Sequence, residues 1–76
     1  LRFLRQLHID SIDLSKFDVE LIKKSKNLTT INCKNCFLSN GSDVVDWVKN
    51  LDSWNLEGAF IDTKSGMFSA SIHRTF

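Results

Sequence analysis

The stretch Leu28 to Leu38, LTTINCKNCFL, constrains the chain most: it sets apolar or cysteine residues at Leu28, Ile31, Cys33, Cys36 and Leu38. A strand sends alternate side chains to one side, so Ile31 and Cys33 share a face, and a turn after them plants Cys36 and Leu38 in the same core. One unit of this size cannot bury its own apolar face, and the sequence supplies copies. Leu4, Leu7, Ile9, Ile12 and Leu14 occupy the same slots 24 residues earlier, and Leu51, Trp54, Leu56, Ala59 and Ile61 occupy them 23 residues later. Lys26/Lys49, Asn27/Asn50, Asn32/Asn55 and Phe37/Phe60 are also identical at the offset of 23.

This is the spacing of a leucine-rich repeat. It predicts an α/β right-handed solenoid of about three repeats, with short parallel strands at residues 7–9, 31–33 and 54–56 lying side by side. Asp18–Lys26 and Asp43–Asn50 are the covering helices. In the first, Asp18 caps the start, Leu21 and Ile22 face the core and the lysines suit the C-terminal end. In the second, Gly41 allows a turn, Ser42 or Asp43 caps, Val44, Val45 and Val48 form the apolar face, and Trp47 bridges to a neighbour. After a polar turn at Thr63–Gly66, the helix-like spacing of Met67 or Phe68 with Ile72 and Phe76 predicts a closing helix over the last strand. The chain opens directly inside a repeat, so residues 1–76 read as a single leucine-rich-repeat domain, a fragment of a longer chain.

The balance of charge narrows the functions. Ten Lys and Arg against nine Asp and Glu leave a net charge of +1, so any nucleic-acid contact must be local. No apolar run is long enough to span a bilayer. Cys33 and Cys36 form a C-x-x-C pair, but only His8 and His73 remain as further nitrogen ligands, neither at zinc-finger spacing, and both cysteines fill slots that want a small buried residue. We therefore expect no metal, no cofactor and no small-molecule substrate. Catalysis is not expected either: Asp43 and Asp46 lie within one helical turn where capping explains them, and His8 and His73 stand without a nucleophile. The sequons at Asn27 and Asn40 match the count chance gives in a chain with six Asn and many Ser and Thr.

Binding is then the remaining role, and strand alternation names its surface. Gln6, His8 and Asp10, then Thr30, Asn32 and Lys34, then Ser53, Asn55 and Glu57 flank the core slots and form a polar concave strip. Arg2, Arg5, Lys23, Lys24 and Lys26 are the candidate basic contacts, with no aromatic among them to stack bases.

The run Trp54–Asp62, then Phe68 and Ser69–Phe76, together with Asn27–Asn32, resembles the end of the leucine-rich-repeat domain of the nuclear RNA export factors, the Tap-like family. The likeness lies in an N-L-E strand, an aspartate just after it, a Phe, and a closing S-A-I-R-x-R-F helix. Ile12, Cys36 and Ala59 stand where that family commonly has Asn, and Thr63–Gly66 replaces its G-N-P turn, which marks a divergent member. The resemblance implies a nuclear, non-catalytic module that assists binding of RNA or an adaptor protein, acting with neighbouring domains of the same chain. A second resemblance is confined to Gly41–Val48, similar to the G-S-E-L-V-D-W-L helix of DEP domains, which would imply membrane or receptor targeting and a mainly helical fold.

Overall fold

In the computed structural model, residues 4–75 are described, and the two units whose spacing is most regular stack as their offset of 24 requires. Strand β1 (Gln6–Asp10) pairs in parallel with β2 (Thr30–Cys36), setting Leu7 against Ile31, His8 against Asn32 and Ile9 against Cys33. The same offset continues beyond the strands: Asp13 bridges to Phe37, Ser15 Oγ lies 2.9 Å from Ser39 Oγ, and Thr29 N donates to Arg5 O.

The third unit does not follow. Strand β3 (Trp54–Ile61) is separated from β2 by β4 (Phe68–Arg74), and the sheet runs β1-β2-β4-β3 with β4 antiparallel to both neighbours. The chain is therefore not a solenoid of three repeats with a closing helix but a small mixed α/β fold with one open four-stranded sheet and two short helices. The segment read as a closing helix is a strand because its spacing satisfies both periods. Phe68 and Ile72 are four apart, which is two strand repeats as well as about one helical turn, and the deciding residue is Ala70 between them, 7% exposed and on the same face. A hairpin at Asp62–Gly66 closes the pair: Asp62 N donates to Met67 O at 2.8 Å, Asp62 Oδ1 accepts from Lys64 N at 3.0 Å, and Gly66 takes a φ of +74°. Local hairpin pairing thus wins over the longer crossover that would set β3 beside β2.

One apolar row crosses all four strands, Leu7–Ile31–Ile72–Leu56, and a second holds Ile9, Cys33 and Ala70. The helices pack on this face. Helix α1 (Val19–Lys24) is capped by Asp18, whose side chain accepts from Glu20 N, and α2 (Val44–Lys49) by Asp43, which accepts from Val45 N and Asp46 N. Ile22, Val44, Trp47 and Val48 enter the core, whereas Leu21 and Val45, expected there, are 51% and 44% exposed. Repeat slots at the margins also fail: Leu4, Ile12, Ala59 and Ile61 are exposed.

The loops after β1 and β2 are tied by Asp13. It caps the short 3-10 turn Leu14–Lys16, accepts from Ser15 N and Oγ, and accepts from Ser39 N at 3.1 Å and from Ser39 Oγ. These donors, with the Ser15 and Ser39 hydroxyls first, hold its carboxyl well below the usual carboxylate range near 3.8. A carboxyl with a depressed folded value contributes stability that is complete above the unfolded value and is lost as pH falls through the folded one. We expect urea midpoints of the wild-type chain to fall from about pH 4 downward, while Asp13→Ala, already weaker at pH 7, shows a flatter acid limb. Equal slopes for the two proteins would show that another group carries the acid sensitivity.

Candidate functional site

Both helices cover one side of the sheet, and the other side is open. By register, its first row is Gln6–Thr30–His73–Asn55 and its second is His8–Asn32–Ser71–Glu57. Asp10, Lys34 and Ser69 continue the face toward the hairpin. Eight of the nine strip residues named from the sequence, Gln6, His8, Asp10, Thr30, Asn32, Lys34, Asn55 and Glu57, therefore lie on one surface, the open face of a single sheet rather than the inner side of a solenoid. Ser53 does not join them: it precedes β3, and its carbonyl accepts from Thr75 N at 2.6 Å.

What the sequence reading missed is the middle of this surface. Ser69, Ser71 and His73 of β4 stand between the β2 and β3 residues and bind them to one another. Ser71 Oγ donates to Asn32 Oδ1 at 3.1 Å, His73 Nδ1 lies 3.3 Å from Thr30 Oγ1, and His73 Nε2 lies 3.3 Å from Glu57 Oε2. Asn55 Nδ2 donates to Thr75 Oγ1. The signal was present as the period-two run Ser69-Ala70-Ser71-Ile72-His73. The Glu57–His73–Thr30 chain has the order of a hydrolase triad. Here Thr30 sits in a strand paired on both sides, so backbone N–H groups are engaged in the ladder rather than aimed at an oxyanion. The contacts fix side-chain directions across three strands.

The free charges are near one end. A shallow groove between β1 and β2 is lined by His8, Asp10, Asn32 and Lys34. Lys34 makes no ion pair among the described residues, and Asp10 accepts from its neighbour Ser11 Oγ.

The candidate basic residues belong elsewhere. Arg2 lies outside the described residues. Arg5 is exposed just before β1, and its carbonyl accepts from Thr29 and Thr30 N–H. Lys23 and Lys24 are on α1 and Lys26 follows it, in the helix layer, with Lys23 3.8 Å from Glu20 and 4.0 Å from Asp52. Lys23 and Lys26 line a cleft with Trp54 and Arg74 at the end of the sheet, so they extend no basic track onto the open face. Trp54 is 3% exposed and its ring is covered by the Arg74 guanidinium, which leaves no face for a base.

Cys33 and Cys36 are free and buried on the core side. Burial, with the neighbouring Cys36, pushes the Cys33 thiol up to about 12, so it stays protonated and unreactive in the folded chain. Among the described residues no three His, Cys, Asp or Glu converge as metal ligands. No helix of the described residues is long and apolar enough to cross a membrane.

The fold and this face define a two-layer α/β domain with one largely polar, uncovered sheet surface, at whose β3 edge Phe60 is exposed. Compared with protein families, curated proteins and solved structures, the chain shows no significant match to any of them.

Proposed function

We propose that the chain is a non-catalytic recognition module that binds a protein partner across the uncovered face of its sheet. The observation that carries this reading is the asymmetry of the layers: two helices seal one face, while the other holds a set of side chains fixed by cross-strand contacts and rich in amide, hydroxyl and imidazole groups. Pre-ordered side chains lose little entropy on binding, which favours recognition by a rigid surface. A protein is the better partner than RNA on charge and aromatic content. Lys34 is offset on this face by Asp10 and Glu57, the whole chain carries only +1, and the lysines of α1 are in the other layer. Phosphate neutralisation therefore has little to act through.

The nuclear setting, with an adaptor protein or RNA as partner in RNA export, is carried by the sequence resemblance alone, and the most specific part of that resemblance, the closing helix, is strand β4. Membrane or receptor targeting is favoured less, because the helix similar to DEP domains forms as α2 but the chain around it is mainly strand.

A photo-crosslinking amino acid at position 34, with position 21 on the outer side of α1 as control, tests this in living cells. The expected result is an adduct at position 34 that protease destroys and nuclease leaves intact, with little at position 21. A nuclease-sensitive adduct, or equal yields at the two positions, would overturn the proposal.

A further inference from the structure

We infer that the free edge of β3 is a self-association surface, and that a second copy of this chain pairs with it antiparallel to form a two-fold dimer with a continuous eight-stranded sheet. Among the described residues, strand β3 is hydrogen-bonded on one side only. An edge strand with unpaired N–H and C=O groups is a template for another strand, and this one, though interrupted by a bulge between Glu57 and Phe60, is lined with apolar groups. Phe60 is 73% exposed and Ile61 54%. Beside the edge, on the helix side, runs a groove lined by Val45, Val48, Trp54 and Leu56, with Lys49 at its rim.

The second copy fits because the surface is complementary to itself. Ile61 pairs with Phe68 and so points to the helix side, as Leu56 does through its pairing with Ile72. Setting Leu56 opposite Ile61 of the second copy brings each isoleucine to the other chain's groove. The same register puts the bulge between Glu57 and Phe60, where Gly58 has a φ of +63°, on the two-fold axis. It then interrupts both strands at one point and leaves Leu56 and Glu57 of each copy opposite Ile61 and Phe60 of the other.

Charge agrees. Helix α2 runs back along β3, so its start lies near Ile61 and its end near Trp54. Across the two-fold, Asp46 of each copy then comes beside Lys49 of the other. Neither residue makes an ion pair within its own chain among the described residues. A two-fold contact needs this reciprocity, residue i meeting j and j meeting i. The open sheet face stays free in such a dimer, and Lys34 is two strands away from the joined edge, so the crosslinking result above does not depend on this one.

Sedimentation equilibrium of the full chain over a concentration series decides it. We expect a species of twice the 8.7 kDa chain mass, dissociating with Ile61→Asp while far-ultraviolet circular dichroism is unchanged. Asp46→Lys or Lys49→Glu alone should weaken the dimer roughly tenfold, and the two together should restore it. The charge pair keeps the test decisive if Ile61→Asp does not fold. A monomer at about 100 µM, or a dimer indifferent to both the isoleucine and the charge reversal, would overturn the inference.

Discussion

Ala70→Asp is expected to unfold the chain, whereas Ser69→Asp, one residue earlier, should change its stability by less than about 1 kcal/mol. Ala70 is 7% exposed and lies against Cys33 in the centre of the sheet, under the helices. A carboxylate there would be removed from water without a partner, which costs several kcal/mol even after its pKa rises, and the added atoms would overfill a packed site. A domain of 76 residues has a total stability of only about 4–11 kcal/mol at ordinary values per residue. Ser69 is on the open side, where it accepts from Asn35 N at 3.1 Å, a bond that Asp can also accept. Urea denaturation followed by circular dichroism gives both numbers. The pair also separates the two periodicities, because a helix with Phe68 and Ile72 on its buried stripe would carry residue 70 on the opposite side and tolerate Asp there. Tolerance of Ala70→Asp would mean that residues 68–74 are not a central strand.

That ambiguity explains most of what the sequence did not reveal. The slots of the central unit, Leu28, Ile31, Cys33 and Cys36, are buried, Leu38 packs half-buried against the core, and the 24-residue offset predicts the β1–β2 register correctly. Those signals are local and redundant. Asp18 was readable as a cap, and Asp43 as one of two candidates with Ser42, because such side chains before a short apolar run can accept from its first N–H groups. The place of β3 was not readable: its side-chain pattern suits a strand in either position, and only the hairpin at Asp62–Gly66 inserts β4 between it and β2.

Two bulges break the strand alternation, one where the repeat spacing already set a turn with Cys36 in the core and one, in β3, that hid part of the surface. Counting alternately from Cys33 would put Cys36 outward, but Lys34–Asn35 shifts the register, with Asn35 at a φ of 53°, and returns Cys36 to the core at 0% exposure. Counting from Glu57 would put Phe60 inward, but the Gly58–Ala59 bulge opposes it to Ser69 on the open side. The glycine hints at such a shift. Its size and direction depend on which strand lies next to it. The candidate face was therefore legible in its β1 and β2 columns, where no shift precedes the residues concerned. It was misread in β4, where the apolar spacing suits a helix as well as a strand, and illegible beyond the bulge in β3.

Arg74→Met should lower stability by about 2–3 kcal/mol, or roughly 10–20 °C in Tm for a domain of this size. Helix α1 has six residues, and Ile22 is its one fully buried side chain, so apolar packing alone holds it weakly. Its last carbonyls are met only in part from within the segment, Ile22 O accepting from Ser25 N and Leu21 O from Ser25 Oγ. Arg74 supplies further donors from β4: Nη1 donates to Ser25 O at 2.6 Å and Nη2 to Ile22 O at 3.1 Å, while the guanidinium lies 4.7 Å from the centre of the Trp54 ring. The cation also opposes the negative end of the helix dipole, as Asp18 matches the positive end. Methionine keeps most of the apolar stem of the side chain, so the loss measures mainly the guanidinium, its donors, charge and stacking on Trp54. Arg74→Lys should fall between the two, since an ammonium reaches fewer carbonyls and stacks poorly on the ring. Hydrogen exchange locates the effect: α1 amides should lose protection before those of β2 in Arg74→Met. A stability change under about 0.5 kcal/mol, or a uniform loss of protection, would show that α1 is held by packing and that the arginine is dispensable.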